Sequence, residues 1–425
     1  MSSPISILLT DTTRWPGGAR LAVALSRAGC AVSCLCPARG HPVAKLRALR
    51  ESFVYSALRP LASLAAAIRA VDPVIVIPCD ERAVQHLHEL HARARRQGPS
   101  ARGIADTIER SLGSPESYPI VCDRYALIQI AREEGIRVAA THPLRTVEDL
   151  AQWQAGTHPC VLKADGTNGG YGIRIAYNSD DVRKYFRVLS QLLGTPRVFK
   201  RSIVNRDPFW LRHWWRRSRP TLIAQSYIDG QPANCAVVCR EGRVLAGTAV
   251  QVVCASSPTE PATVVRVVDH AEMMLAAERI ARRLHLSGFF GLDFIMEAGT
   301  GDPYLIEMNP RITPQCHLRL GGRRDMVGAL LQEFSDQSCE MPPVTENDMI
   351  AYFPQAWSVK NEFFQSSFQD IPSEEPELVQ ELLNPWLERT FLVRMFNLIY
   401  RQRGQSRQSS IEPITPGAAS VSSSK

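Results

Sequence analysis

The chain has 425 residues, of which 45% are hydrophobic, 21% charged and 7% aromatic, a length that gives two or three domains with buried cores and excludes a disulfide-stapled miniprotein. Its 49 basic and 42 acidic residues leave a net charge of +7, but eight basic residues against the single acid Asp207 fall between Pro196 and Pro220, so the excess is local. No apolar run reaches the ~18 residues of a spanning helix, the first twenty residues show no signal-peptide pattern, and eleven cysteines without a C-x-x-C pair speak against a disulfide framework or a zinc site; the expected location is the cytoplasm.

The first unit reads strand, helix, strand, helix, strand: ILL at 7–9, ARLAVALSRAG, AVSCL, LASLAAAIRAV and PVIVIP at 73–78. That rhythm is the one of a parallel doubly wound sheet. The first turn, Thr10 to Gly18, lacks the G-x-G-x-x-G spacing of a dinucleotide site. Asp80 and Glu81 follow the last strand, where open parallel sheets place ligand loops; a carboxylate pair opening a helix is the plainer reading. After a connector rich in Gly, Pro and Ser, a second unit opens with DRYALIQIAREEGI, a helix starting near Asp123. There follow the strand CVLK at 160–163, a glycine-rich turn, a helix near 180–193, a basic aromatic segment, and the strands TLIAQSYI, ANCAVVCR and RVLAGTAVQVV. A helix at 269–286 leads into GFFGLDFIM and PYLIEMN, two strands joined by a turn with Gly299 and Gly301. From about Pro342 the pattern weakens among prolines, with one amphipathic helix expected at 385–400 and a disordered tail after it. The expected domains are 1–112, 113–340, an extension at 341–400 and a tail at 401–425.

Three constellations carry chemistry. Lys163 ends an apolar strand and precedes Gly166, Gly169, Gly170 and Gly172. Glycines let backbone N–H groups approach phosphate oxygens, and the ammonium supplies countercharge. The order is not that of a Walker A loop. A plain glycine-rich hairpin is the alternative, weighed against the scarcity of lysine, six among the 49 basic residues. Asp293 and Glu307 sit where two antiparallel strands bring them face to face, with Asn309 on the face of Glu307. These hard oxygen donors suit Mg²⁺ shared with nucleotide phosphates. Solvated strand-end acids are the alternative, but the apolar flanks imply burial, where unpaired carboxylates are costly. Arg311 follows directly and can hold an anionic oxygen in its fork; a surface ion pair worth about 0–1 kcal/mol is its bland role.

In this order the motifs resemble the ATP-grasp superfamily over roughly residues 1–334, and IPCDE, GLDFIM and IEMNPR resemble its carbamoyl-phosphate synthetase and biotin carboxylase branch. The resemblance implies an α/β N-terminal preATP-grasp (Rossmann-like) domain plus an α+β ATP-grasp domain, with ATP and Mg²⁺ (or Mn²⁺) bound. It makes Asp293, Glu307 and Asn309 metal ligands, and puts Lys163 on the nucleotide phosphates with Gly169, Gly170 and Gly172 closing over them. Arg124, opening its helix, matches the family's first phosphate-contacting basic residue. Gln225, Ser226, Tyr227 and Ile228 match the hinge that cradles adenine. There the chain departs from the pattern: Gln225 stands where Glu is usual, and a ribose-binding Glu expected near Pro232 is missing, with Asp229 or Gln231 as substitutes.

The implied reaction is carboxylate activation. ATP phosphorylates a small carboxylic acid and an amine attacks the acyl phosphate, with Lys163 and Arg311 as the catalytic residues and His317 and Arg319 just downstream. A non-catalytic ATP-binding protein and a biotin-carboxylase-like, bicarbonate-activating enzyme are the rivals. Segment 200–219 interleaves Trp210, Trp214 and Trp215 with arginines, which fits a substrate lid, a peripheral membrane contact or a helix with its Trp face on the core. No nucleic-acid reader motif accompanies it. The basic C-terminal helix adds to the surface-docking reading, and a homodimer is compatible with all of this.

Overall fold

The computed structural model describes residues 4–37, 40–146, 149, 159–164, 172–190, 221–255, 261–335, 342–359 and 362–385. Gly169, Gly170, segment 200–219 and the helix and tail expected beyond residue 385 lie outside the described residues.

Near-continuous apolar runs at the start of the chain form strands covered on both faces, as a parallel sheet requires. β1 (Ser6–Thr10), β2 (Ala31–Cys36), β3 (Glu51–Val54) and β4 (Ile75–Pro78) pair in parallel in the order β3-β2-β1-β4. The connecting helices are α1 (Gly17–Arg27), α2 (Pro60–Val71), α3 (Glu81–Gln97) and α4 (Arg102–Leu112). Successive side chains of β1 point to opposite layers: Ile7 and Leu9 pack with Leu21 and Leu25 of α1, while Leu8 packs with Leu64, Leu87 and Ile108 of the other three helices. Strand β3 has no counterpart in the sequence reading, because this edge strand is largely exposed and carries no apolar run.

After α5 (Tyr118–Val121) and α6 (Arg124–Glu133), two sheets follow, a small antiparallel one and a large one that is antiparallel except for the parallel pairing of its last two strands. The small one holds β5 (Thr141–Leu144), β6 (Cys160–Ala164), β7 (Ile173–Ala176) and β8 (Leu222–Ser226) in the order β5-β8-β6-β7, backed by α7 (Ser179–Ser190). The large one holds β9 (Gly230–Arg240), β10 (Arg243–Ala255), β11 (Ala262–Val268), β12 (Gly288–Glu297), β13 (Pro303–Asn309), β14 (Met349–Tyr352) and β15 (Phe368–Asp370), in the order β13-β12-β9-β10-β11-β14-β15. One of its faces (Cys235, Val237, Leu292, Phe294) packs on α6 and on α8 (Ala271–Arg283). The other (Ala236, Val238, Phe289) meets α1, α9 (Met326–Gln332) and the N-terminal sheet.

The chain after Pro342 supplies two strands that the sequence reading lacks, β14 pairing with β11 and β15 with β14. Strands of four and three residues are too short to show a period and take their conformation from the sheet they join. Short helices α10 (Gln355–Val359), α11 (Glu362–Ser366) and α12 (Pro376–Leu383) complete this region. Among the described residues no helix is long and apolar enough to cross a membrane.

Candidate active site

Strand alternation puts Asn234 of β9, Asp293 of β12 and Glu307 and Asn309 of β13 on the sheet face turned away from α8, since their neighbours Cys235, Leu292 and Met308 belong to the core against that helix. Asp293 lies directly opposite Glu307 on one side and Asn234 on the other. The amides clamp it. Asn309 Nδ2 donates to Asp293 Oδ2 at 2.8 Å, Asn234 Nδ2 donates to Oδ1, and Gln315 Nε2 donates to Asn234 Oδ1. Gly291, opposite Asn309, admits Thr313 so closely that a Cβ would lie 2.5 Å from its methyl.

The pairing of β12 with β13 passes from Asp293–Glu307 to Phe294–Leu305 and so skips Ile306. Such a bulge turns a backbone group out of the ladder. The Ile306 carbonyl accepts from Lys163 Nζ at 3.2 Å and from Gln225 Nε2 at 3.5 Å, two side chains of the small sheet. Lys163 and Gln225 are both buried, and Gln225 also donates to Thr141 Oγ1 at 3.1 Å. Gly172 accepts the N–H of Ala164 at the end of β6, next to Lys163.

Asp123 caps α6, its carboxylate accepting from Ala126 N. Arg124 thereby opens the helix, where a cation is unfavourable against the helix dipole unless an anion faces it. The anion is Glu307: Arg124 Nε and Nη2 both donate to its Oε1, at 3.1 and 2.6 Å, and Nη1 donates to Ala164 O at 2.7 Å. Among the described residues Glu307 Oε2 carries no hydrogen bond.

The segment Gln225, Ser226, Tyr227 and Ile228 runs out of the small sheet and into β9. The Ser226 and Tyr227 N–H groups donate to Ala140 O and Pro159 O, and the Tyr227 side chain is exposed. Gly230 makes the entry to β9 workable, since a Cβ there would lie 1.9 Å from Met296 O. Of the two expected ribose substitutes, Gln231 is held by Gln251 at 2.7 Å, and Asp229 uses its backbone carbonyl to accept from Ala298 N.

Arg311 bridges two units of the fold. Nη1 donates to Ile312 O at 2.9 Å, and Nη2 donates to Asn309 Oδ1 at 3.1 Å and to Glu81 Oε1 at 3.3 Å. Its neighbour Asp80 has the plainer role: it caps α3 through Ala83 N and ties Thr12 by its backbone and hydroxyl. His317 and Arg319 turn away from this centre. His317 pairs at 2.8 Å with Asp370, which also holds Arg20 of α1, and Arg319 Nε donates to Pro342 O. The sequence pattern does not mark Gln315, and its one signal for Asn234 is a polar residue inside the apolar run of β9.

Charge separates the two opposed carboxylates. Burial raises Glu307, but Arg124, Lys163 and Arg311 outweigh it and hold it below the ordinary glutamate range. Asp293 is raised, by burial and then by the charge of Glu307, against its two amide donors and Arg311. Burial pulls Lys163 down to about 8, with Arg124 adding to the fall and Glu307 and Asp293 opposing it. A hard divalent cation fits this set, since it relieves the repulsion of carboxylates that face each other across a ladder. Among the described residues no three His, Cys, Asp or Glu side chains converge on a metal position; the Asn309 amide oxygen beside the two carboxylates accepts from Arg311 Nη2.

Residues 123–315 match the family model of an ATP-grasp domain. That span holds α6, the small sheet, the segment from Gln225 to Ile228 and both carboxylate strands. The chain's fold is similar to that of the L-amino acid ligase from Bacillus licheniformis (TM-score 0.56, 14% identity, 81% of this chain and 80% of that one). It is also similar to the biotin carboxylase domain of 2-oxoglutarate carboxylase from Hydrogenobacter thermophilus, in complex with MgADP, ADP and bicarbonate (TM-score 0.55, 15% identity, 80% and 72% covered). The ADP complex of N5-carboxyaminoimidazole synthetase from Staphylococcus aureus gives 0.55 at 13% identity, with 80% of each chain covered. At such identities the likeness is one of fold. In sequence, 173 residues are 26% identical to acetyl-CoA carboxylase 1 of Oryza sativa subsp. japonica, 39% of this chain and 7% of that protein. The chain thus spans less than a tenth of the length of the curated relatives it matches.

Proposed function

We propose that the chain is an ATP-dependent ligase that activates the carboxylate of a small acid as an acyl phosphate and passes the acyl group to an amine. One observation carries the reading: Asp293 and Glu307 face each other across one ladder, and Arg124 of α6 and Lys163 of the small sheet both reach the strand of Glu307. Arg124 and Lys163 take the nucleotide phosphates, Gly169, Gly170 and Gly172 cover them, and the hinge from Gln225 to Ile228 takes the adenine. Mg²⁺ or Mn²⁺, when held by Asp293, Glu307 and Asn309, supplies neutralisation of the charge on the transferring phosphoryl group.

The chain's own residues do the rest by placement and charge, without a protein nucleophile. Arg124 exchanges Glu307 for phosphate oxygens, which leaves the carboxylate free to face a cation. Phosphate anions beside Lys163 restore the proton that burial weakens. Arg311, fixed against Asn309, holds the acid's carboxylate beside the phosphoryl group and then stabilises the acyl-phosphate oxygens. Domains 1–112 and 113–340 in this reading bring the acid and the nucleotide to one seam.

The test is ADP and phosphate release with Mg²⁺ against pooled amino acids and small carboxylic acids, with Glu307→Gln as control. Release that depends on an acid and vanishes in the variant supports the ligase; nucleotide binding without acid-dependent release overturns it in favour of a non-catalytic binder. A second reading, bicarbonate activation, is favoured by the match to acetyl-CoA carboxylases, and release that depends on bicarbonate alone selects it.

A further inference from the structure

Arg124 ties the small sheet to the carboxylate strand. Its Nη1 donates to Ala164 O, beside Lys163, while Nε and Nη2 both donate to Glu307 Oε1. Both side chains are mostly buried, with 13% of Arg124 and 14% of Glu307 exposed. Each carboxylate oxygen offers about two lone-pair sites, so the two N–H groups on Oε1 leave that atom no site for a cation. The neighbouring donors are engaged less fully. Each Asp293 oxygen accepts one amide N–H, and Asn309 Oδ1 accepts one N–H from Arg311, so each keeps a lone pair to offer. Of the side chains placed around the metal position, Glu307 is therefore the one whose ligating oxygen is occupied by a guanidinium.

Charge leads to the same place. Arg124, Lys163 and Arg311 act on Glu307, and Asp293 and Glu81 are the anions that share its surroundings. Cations and anions balance at this centre, so a divalent cation entering alone gains no net attraction and must also break a mostly buried ion pair. Phosphate changes both conditions. It brings negative charge, and it offers a guanidinium the same forked contact that a carboxylate does. Arg124 stands at the first position of α6, where the helix dipole also favours an anion. We infer that Arg124 is a lock on the metal position: it holds Glu307 Oε1 until nucleotide phosphates draw it away, so that a divalent cation is retained only together with a nucleotide. The inference rests on the metal position of the ligase reading and names how that position is regulated.

The experiment titrates the full chain with Mn²⁺ and follows the free ion by electron paramagnetic resonance, without nucleotide and with ADP, the protein being in excess over ADP. Without nucleotide, Arg124→Met should bind Mn²⁺ about tenfold or more tightly than the unsubstituted protein, because a site open in a minor fraction of molecules loses affinity by that fraction. The gain in Mn²⁺ affinity that ADP brings should shrink in Arg124→Met by the same factor, since coupling between two ligands is reciprocal. Adding Glu307→Gln to Arg124→Met should abolish the gain, which ties it to this carboxylate. Should Arg124→Met fail to fold, Arg124→Lys carries the test: a lysine keeps the charge but not the fork, and Mn²⁺ affinity should rise by about threefold. Equal Mn²⁺ affinity in the unsubstituted and substituted proteins without nucleotide overturns the lock and leaves the ligase reading standing. No Mn²⁺ retained by any form, with ADP or without, overturns the metal position of the ligase reading and this inference with it.

Discussion

On the large-sheet wall of the cleft, Asp293, Asn234, Asn309 and Gln315 hold one another in a chain of amide bonds, whereas on the small-sheet wall Lys163 and Gln225 both reach across to one carbonyl, that of Ile306. The first wall is fixed by its own side chains. The second borrows its fixed points from the first, and its one chain connection to β9 is the stretch after Ser226. A preorganised wall is suited to the step where charge develops, since it costs no rearrangement at that moment. A wall whose lysine rests on a carbonyl of the opposite strand is suited to binding, because an incoming phosphate displaces that neutral contact and gains a charged one. Substitutions on the two walls should therefore fail differently.

The largest effect belongs to the fixed wall. Glu307→Gln should lower acid-dependent ADP release by about 10³-fold, the scale of losing a principal electrostatic contact in the transition state, while ATP affinity changes far less. Parallel loss of both would erase the distinction between the walls. Lys163→Met should do the reverse, weakening ATP by about 10–100-fold, or about 1.4–2.7 kcal/mol, measured by calorimetry. Its stability effect has the opposite sign. The folded chain holds Lys163 near 8 against an ordinary value of 10.5, so between those values the folded state binds fewer protons than the unfolded one and stability rises with pH. Lys163→Met should flatten that rise in thermal melts, whereas ATP affinity of the unsubstituted protein should fall as the pH climbs through about 8.

Smaller is the effect of the amide chain. Asn234→Leu leaves Asp293 and Gln315 each short of a partner, at about 1–3 kcal/mol for the buried groups, and should raise the Mg²⁺ needed for half-maximal turnover by about tenfold, as when other supports of metal ligands are removed. A loss of stability without a change in Mg²⁺ requirement would make Asn234 a packing residue and shrink the fixed wall to Asp293, Glu307 and Asn309.

The sequence made the fixed wall partly legible. GLDFIM and YLIEMN are consecutive strands joined by a short glycine-containing turn, so alternation alone placed Asp293 opposite Glu307 and Asn309 on the same face. It could not place Asn234, whose strand pairs with β12 from 59 positions away, nor show that Glu81 would meet Arg311 across 230 positions. Register across such gaps is set by packing of whole sheets rather than by local pattern. Strands β3, β14 and β15 escaped for a related reason: each is short and lies at or near a sheet edge, with its conformation supplied by its neighbour. The bulge at Ile306 was equally invisible, since nothing in Leu-Ile-Glu marks which residue the ladder will skip.

The departure at Gln225 offers the finest test of the movable wall. Gln225 is buried, its amide donating to Thr141 Oγ1 and to the same Ile306 carbonyl that Lys163 uses. Glu at this position cannot donate to that carbonyl, but the Lys163 ammonium shares the same acceptor and can turn from it to the new carboxylate, and the Thr141 hydroxyl can turn to donate. In Gln225→Glu the new carboxylate should lift Lys163 above about 8, which moves the fall in ATP affinity to higher pH. The stability change should stay within about 1–2 kcal/mol, because desolvation of a buried pair and its mutual attraction nearly cancel. A destabilisation beyond about 3 kcal/mol, the scale of a buried charge left without its partner, together with an unmoved pH break, would show that Lys163 cannot leave Ile306 for position 225. The small-sheet wall would then be as fixed as the one it faces.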